Sequence, residues 1–239
     1  MSMDINLSLL SPVDYVALII FLASWAGYQY FATSAAKRGI PSLMSVMSKY
    51  REDWWRGTIH RDLKIVDANI IMNLSNGATF FASTTILILG ALLALLGTSD
   101  KAIAIMSDLP FSSENQTLIW ELKIFLLLSI FVYAFFKFTW SLRQHTFCSV
   151  LVGAAPEPNS DPQVLKDFVV KAAELASVAS NTFNYGLRAY YFGLSVLTWF
   201  WNSWFFIVAT LFVVTVLYYR EFKSEALKAM IGGNPSKIL

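Results

Sequence analysis

The 239-residue chain holds a single cysteine, Cys148, so no intrachain disulfide can form and the redox compartment stays open. Only two histidines occur, His60 and His145, and the patterns HExxH, CxxC and GxxxxGK[ST] are all missing. Those gaps argue against a zinc peptidase site, a thiol redox pair and a phosphate-cradling loop. Two histidines with no shared motif fit surface residues better than axial haem ligands. Carboxylates are scattered through connectors and tails, with no general acid/base pair among them. Charge is scarce as well: 14% of residues are charged, where a soluble domain has about 25%. The net charge of +2 is too small for a nucleic-acid surface. The sequence thus predicts no nucleic-acid partner, no cofactor, no catalytic or metal-binding residue and no enzymatic activity. Residues 1–14 lack Lys and Arg, whereas a cleavable signal peptide needs a basic start, so the first apolar run is expected to stay in place.

What is abundant is apolar length. Hydrophobic residues make up 56% of the chain, aromatics 15%, and the mean hydropathy is +0.54. Four runs, Tyr15–Ser34, Asn76–Gly97, Ile119–Trp140 and Tyr190–Tyr219, approach or exceed the ~20 residues that a helix needs to cross ~30 Å of hydrocarbon. The expected fold is all-α: one transmembrane domain over residues 1–239, a four-helix bundle with amphipathic helices near 42–56 and 162–183 in its connectors. With the N-terminus outside, the inside segments carry eleven basic residues and the outside ones five. That bias predicts both termini outside, in a bacterial inner membrane, although the basic tail after Arg220 runs against it.

The connectors have their own design. Gly39-Ile40-Pro41 breaks the chain, with Pro41 suited to the first turn of the next helix. Leu43, Val46, Met47, Tyr50 and Trp54 then fall at helical spacing beside Lys49, Arg51 and Arg56, as in a helix lying in the headgroup zone. Asp161 and Pro162 form an N-cap and first-turn pair. The stripe from Leu165 through Phe168, Ala172 and Ala176 to Phe183 follows, with Asp167 and Lys171 four apart and able to pair. This helix is expected to continue into the fourth span with at most a bend at Gly186. Arg220–Ile231 should extend the last span until Gly232 caps it.

Polar residues inside the spans are the candidate functional positions. Asn69, Asn73, Asn76, Phe80, Ser83, Leu87, Gly90, Ala94 and Gly97 form one helical stripe, amide and hydroxyl in its first half and small in its second. A packing seam through Gly90, Ala94 and Gly97 explains such a stripe, since small residues let backbones approach. Three asparagines in register are more polar than packing needs, which keeps a solute path open as a reading. The third span carries Lys137, Arg143 and Gln144; a lysine near mid-membrane costs roughly 3 kcal/mol to insert and normally faces a partner or a wet cavity. Glu121 and Lys123 are expected at the interface, snorkelling. The fourth span adds Arg188 and Asn202 beside Trp199, Trp201 and Trp204, whose indoles want a partner within the bundle.

Three segments carry a family resemblance: Phe81-Ala-Ser-Thr-Thr with Gly90-Ala-Leu-Leu-Ala-Leu-Leu-Gly97; Phe135-Phe-Lys-Phe-Thr-Trp-Ser-Leu-Arg-Gln144 with Gly153-Ala-Ala-Pro156; and Gly186-Leu-Arg-Ala-Tyr-Tyr-Phe192 with Trp199 and Tyr219-Arg-Glu-Phe222. Together they resemble a family of four-span membrane proteins known as domain of unknown function 599. The resemblance implies fold and membrane location, and no reaction or ligand. The expected role is non-enzymatic assembly in the bilayer, as a homo-oligomer or with a membrane-protein partner. A small-solute transporter or channel lined by the second and third spans is the alternative.

Overall fold

The computed structural model describes residues 10–35, 38–97 and 117–232. Its helices are α1 (Pro12–Ala35), α2 (Leu43–His60), α3 (Ile65–Leu96), α4 (Thr117–Gly153), α5 (Pro162–Leu197), α6 (Ser203–Phe222) and the short α7 (Glu225–Ile231). A 3₁₀ turn, Thr198–Phe200, precedes α6. No strand occurs among the described residues. α1, α3, α4 and the α6–α7 segment are each long and apolar enough to cross a membrane. The chain is an all-α integral membrane protein. The polar connector expected over residues 98–118 lies almost wholly outside the described residues.

Capping residues set the helix starts. Ser42 and Ser45 form a reciprocal capping box, with Ser45 N–H donating to Ser42 Oγ at 3.1 Å and Ser42 N–H to Ser45 Oγ at 2.9 Å. Pro41 therefore precedes the cap and is not part of the first turn. Asp161 caps α5 as expected, accepting from Gln163 N–H at 2.7 Å, with Pro162 in the first turn. Asp167 takes its bond from Gln163 Nε2 at 2.7 Å, one turn back, and forms no ion pair with Lys171. Gly232 ends α7 at φ 62°, the left-handed cap expected there.

The fourth expected span, Tyr190–Tyr219, is corrected by the structure. α5 runs unbroken from Pro162 through Gly186 to Leu197, and the helix stops. Thr198 Oγ1 donates back to Ser195 O at 2.7 Å, and Asn202 Oδ1 accepts from Trp204 N–H at 2.9 Å to start α6 afresh. α6 then returns antiparallel to α5: Thr210 Oγ1 lies 3.4 Å from Ser195 Oγ, and Arg220 Nη1 donates to Tyr191 OH at 3.1 Å. Arg220–Ile231 is no single extension either, because Ser224 caps a separate α7.

This reversal also decides which helix ends meet. The start of α1 meets the Thr198–Asn202 turn, where Trp199 Nε1 donates to Asp14 Oδ1 at 2.6 Å. The end of α6 meets the start of α2, where Met44 N–H donates to Glu221 Oε1 at 3.0 Å. The start of α1 and the end of α6 therefore sit at opposite ends of the bundle. At 1.5 Å per residue, α4 and α5 are each about 55 Å long, well beyond the ~30 Å of a hydrocarbon core. Their excess extends past the bundle and packs on α2, in a cluster of Trp55, Ile59, Ile71, Cys148, Val169 and Ala172.

The close seam lies on α5, not on α3. A Cβ built on Gly186 would stand 2.6 Å from the Phe138 ring, and one on Gly193 3.3 Å from Phe131. At the expected seam, Gly90, Ala94 and Gly97 are all exposed among the described residues, with nothing within 4 Å of a Cβ on Gly90. α3 packs instead through Ala78, Ala82, Thr85 and Leu92. Periodicity identifies a face of a helix, but not which face the neighbours cover.

Candidate functional site

Two buried aspartates mark the two ends of the bundle. Asp14, 0% exposed, accepts from the Trp199 indole, from Ser11 Oγ at 2.7 Å and from Ser203 Oγ. Beside it, Lys123 is 5% exposed and donates to Trp199 O at 3.0 Å, with its ammonium 5.1 Å from the Trp199 ring. The expected snorkelling of Lys123 is therefore wrong, because a carbonyl freed by the helix break is within reach. At the other end Asp67, also 0% exposed, accepts from the Trp54 indole at 2.6 Å, from Thr58 Oγ1 at 2.9 Å and from Arg61. An indole, a hydroxyl and a nearby cation recur at both sites. Hydrogen bonds to an ionised acceptor are among the stronger ones, which is how a carboxylate survives burial.

Between the ends runs a belt of cations and tyrosines. Arg188, 2% exposed, donates to Gln29 Oε1 at 3.2 Å, with its guanidinium 5.3 Å from the Tyr28 ring and 5.7 Å from Tyr185. Lys137 is half-buried, its ammonium 5.2 Å from Tyr133 and 5.7 Å from that same Tyr185 ring. Arg220 lies 5.1 Å from the Tyr191 ring. These are cation–π contacts, and they weaken the need for a carboxylate without replacing it.

The α2 end holds a second polar group. Ser141 Oγ donates to Ala179 O at 2.8 Å and lies 3.5 Å from His145 Nδ1, while Ser48 and Ser177 hydroxyls meet at 3.0 Å. Here Arg51 Nη1, Gln144 Oε1, His145 Nε2 and Asn181 Oδ1 are buried without a partner. Desolvation pushes the Arg51 guanidinium below its ordinary pKa. His145, expected at the surface, is thus buried; His60 is exposed. Among the described residues no three His, Cys, Asp or Glu side chains gather as a metal ion requires.

The sequence candidates thus scatter. Lys137 and Arg188 come together around Tyr185. Gln144 is buried at the α2 end, whereas Arg143 is exposed over the Phe147 ring at 5.3 Å. Asn202 is the α6 cap. Asn69, Asn73 and Asn76 are exposed on α3. Of the three tryptophans, Trp199 found its partner in Asp14, while Trp201 and Trp204 face outward. Sequence reading missed both aspartates; the signal was an acid at the third position of an apolar helix, at Asp14 and Asp67, with tryptophans elsewhere in need of an acceptor.

A family model described as "Protein of unknown function, DUF599" matches residues 16–226. The chain belongs to DUF599. No curated protein and no solved structure matches it. The DUF599 match runs from early α1 into α7 and takes in Lys123, Lys137, Arg188, Asp67 and the Asp14 partners Trp199 and Ser203.

Proposed function

We propose that this DUF599 protein acts in a bacterial inner membrane through self-assembly, without an enzymatic activity of its own. One observation carries the reading: the stripe Asn69, Asn73, Asn76, Ser83, Gly90, Ala94 and Gly97 lies on the outward face of α3. Three amides in register are more polar than packing within one chain needs, and a second copy of the same stripe supplies a donor and an acceptor to each one. The small residues further along let two α3 backbones approach. The alternative path between the second and third spans has less to support it, since Phe81 stacks on Phe138 there at 5.2 Å. The favoured orientation places the α2 end inside. Arg220, Lys223 and Lys228 then lie inside with the basic residues of the α1–α3 and α4–α5 connecting segments, which removes the conflict with the positive-inside rule.

Cysteines introduced at Gly90 or Ala94 should form disulfide-linked dimers on oxidation in native membranes. A cysteine at Leu211, exposed on α6, should not. Equal cross-linking at all three positions, or none at any, overturns assembly through α3. Labelling of introduced cysteines in Leu43–His60 by an impermeant reagent added outside intact cells overturns the orientation.

A further inference from the structure

Lys137 and Arg188 form no ion pair among the described residues. No carboxylate lies within 4 Å of either among the described residues, whose ion pairs are Arg56 with Glu52 and Asp53, and Arg61 with Asp67. Arg188 offers five N–H donors, yet its one hydrogen-bond acceptor here is Gln29 Oε1. The Lys137 ammonium contacts two rings and no hydrogen-bond acceptor of the described chain. Each charge stands 5.7 Å from the centre of the Tyr185 ring, so they are separated by no more than twice that distance. Two cations this close repel, and the repulsion is strongest where the dielectric is low.

Depth makes the arrangement more demanding. Lys137 is fourteen residues from Lys123 along α4, about 21 Å at 1.5 Å per residue. With Lys123 at one border of a ~30 Å core, Lys137 lies inside the opposite border by roughly 9 Å. That is within reach of the headgroup phosphates of the leaflet on the α2 side. The group is open on one side, for Lys137, Tyr133, Tyr185 and Gln29 are all half-buried around the buried Arg188. Arginine presents a planar fork suited to a phosphate's paired oxygens, lysine adds a point charge, and tyrosine hydroxyls add neutral donors.

We infer that Lys137 and Arg188, framed by Tyr28, Gln29, Tyr133 and Tyr185, bind the phosphate group of an anionic molecule entering between α1 and the α4–α5 hairpin. A lipid headgroup and a free phosphate share this chemistry, and the experiment separates them. The full chain is reconstituted in phosphatidylcholine alone, in phosphatidylcholine with phosphatidylglycerol, and in phosphatidylcholine with inorganic phosphate. Thermal unfolding is followed in each, and retained lipid is counted by native mass spectrometry. Wild type should unfold at higher temperature with one anionic species present. Lys137→Gln should weaken that retention roughly tenfold, the loss expected for one charge-assisted contact. Arg143→Gln, an exposed cation on the same helix, should leave it unchanged. Arg188→Lys keeps the charge but loses the fork and should fall between wild type and Lys137→Gln. Protection by phosphatidylglycerol alone identifies a headgroup, and protection by phosphate alone identifies a soluble ligand. The inference is overturned if neither protects wild type, or if Arg143→Gln costs as much retention as Lys137→Gln. Because Lys137 is half-buried, its variant tests the site even where an Arg188 variant fails to fold.

Discussion

Asp14 and Asp67 are equally buried and use the same kinds of partner, yet they do different work. Asp14 takes bonds from residues 185 and 189 positions away, so it ties α1 to the turn that closes the α5–α6 hairpin. The Asp67 partners lie within 13 positions, and it fixes the local corner between α2 and α3. The surroundings differ as well. Of the seven buried polar atoms without a partner among the described residues, Trp120 Nε1 alone lies at the Asp14 end, and Asp67 Oδ2 and Trp55 Nε1 are among those at the α2 end. Unpartnered buried polar atoms thus gather at the α2 end, with a single one at the other. Since unmet polar groups invite water and local opening, the two ends should differ in stability as well as in chemistry.

The sharpest test is to remove each carboxylate. Asp14→Ala strands the Trp199 indole and the Ser203 hydroxyl in a buried site and releases α1; a loss of about 3 kcal/mol is expected, read from unfolding in detergent. In the shaft between the ends, Gly186→Ala drives a methyl into the Phe138 ring, and overpacking of this kind costs about 2 kcal/mol by the same measurement. Asp67→Ala should cost only ~1 kcal/mol, because Arg61 is 40% exposed and turns to solvent while Thr58 keeps its bond to Trp54 O at 3.0 Å. Equal losses at the two aspartates would remove the distinction between long-range and local ties. The smallest effect is expected at Gly90→Leu, below about 0.5 kcal/mol for the monomer, since open space surrounds that position. There the change should appear as lost cross-linking alone. Hydrogen exchange gives an independent view, with α2 amides exchanging before those of early α1.

Much of the fold was legible in the sequence because lipid leaves few choices: apolar length marked α1, α3 and α4, and Asp161-Pro162 marked the start of α5. The break at Thr198–Asn202 was not legible, since Thr-Trp-Phe-Trp-Asn contains neither Gly nor Pro and hydropathy runs straight through it. Only Asn202 before Ser203 hinted at a cap. Gly186 and Gly193 are spaced for a seam, but the more regular stripe on α3 drew attention away from them. That stripe is real in register, and its face is exposed among the described residues. Lys137 and Arg188 were singled out one by one, but their meeting at Tyr185 depends on α4 and α5 being antiparallel, which composition does not encode.

The absence of any break in α5 has a mechanical consequence. From Pro162 at the α2 end to Leu197 beside the Asp14 end, the helix is one rod of about 54 Å. Its tight contact at Gly186 against Phe138 divides it into two unequal arms, twenty-four residues on one side and eleven on the other. A tilt of about 10° around that contact moves the Pro162 end by ~6 Å and the Leu197 end by ~3 Å in the opposite direction. Displacement on the α2 side is thereby halved and reversed at the other membrane border, as at the short arm of a lever.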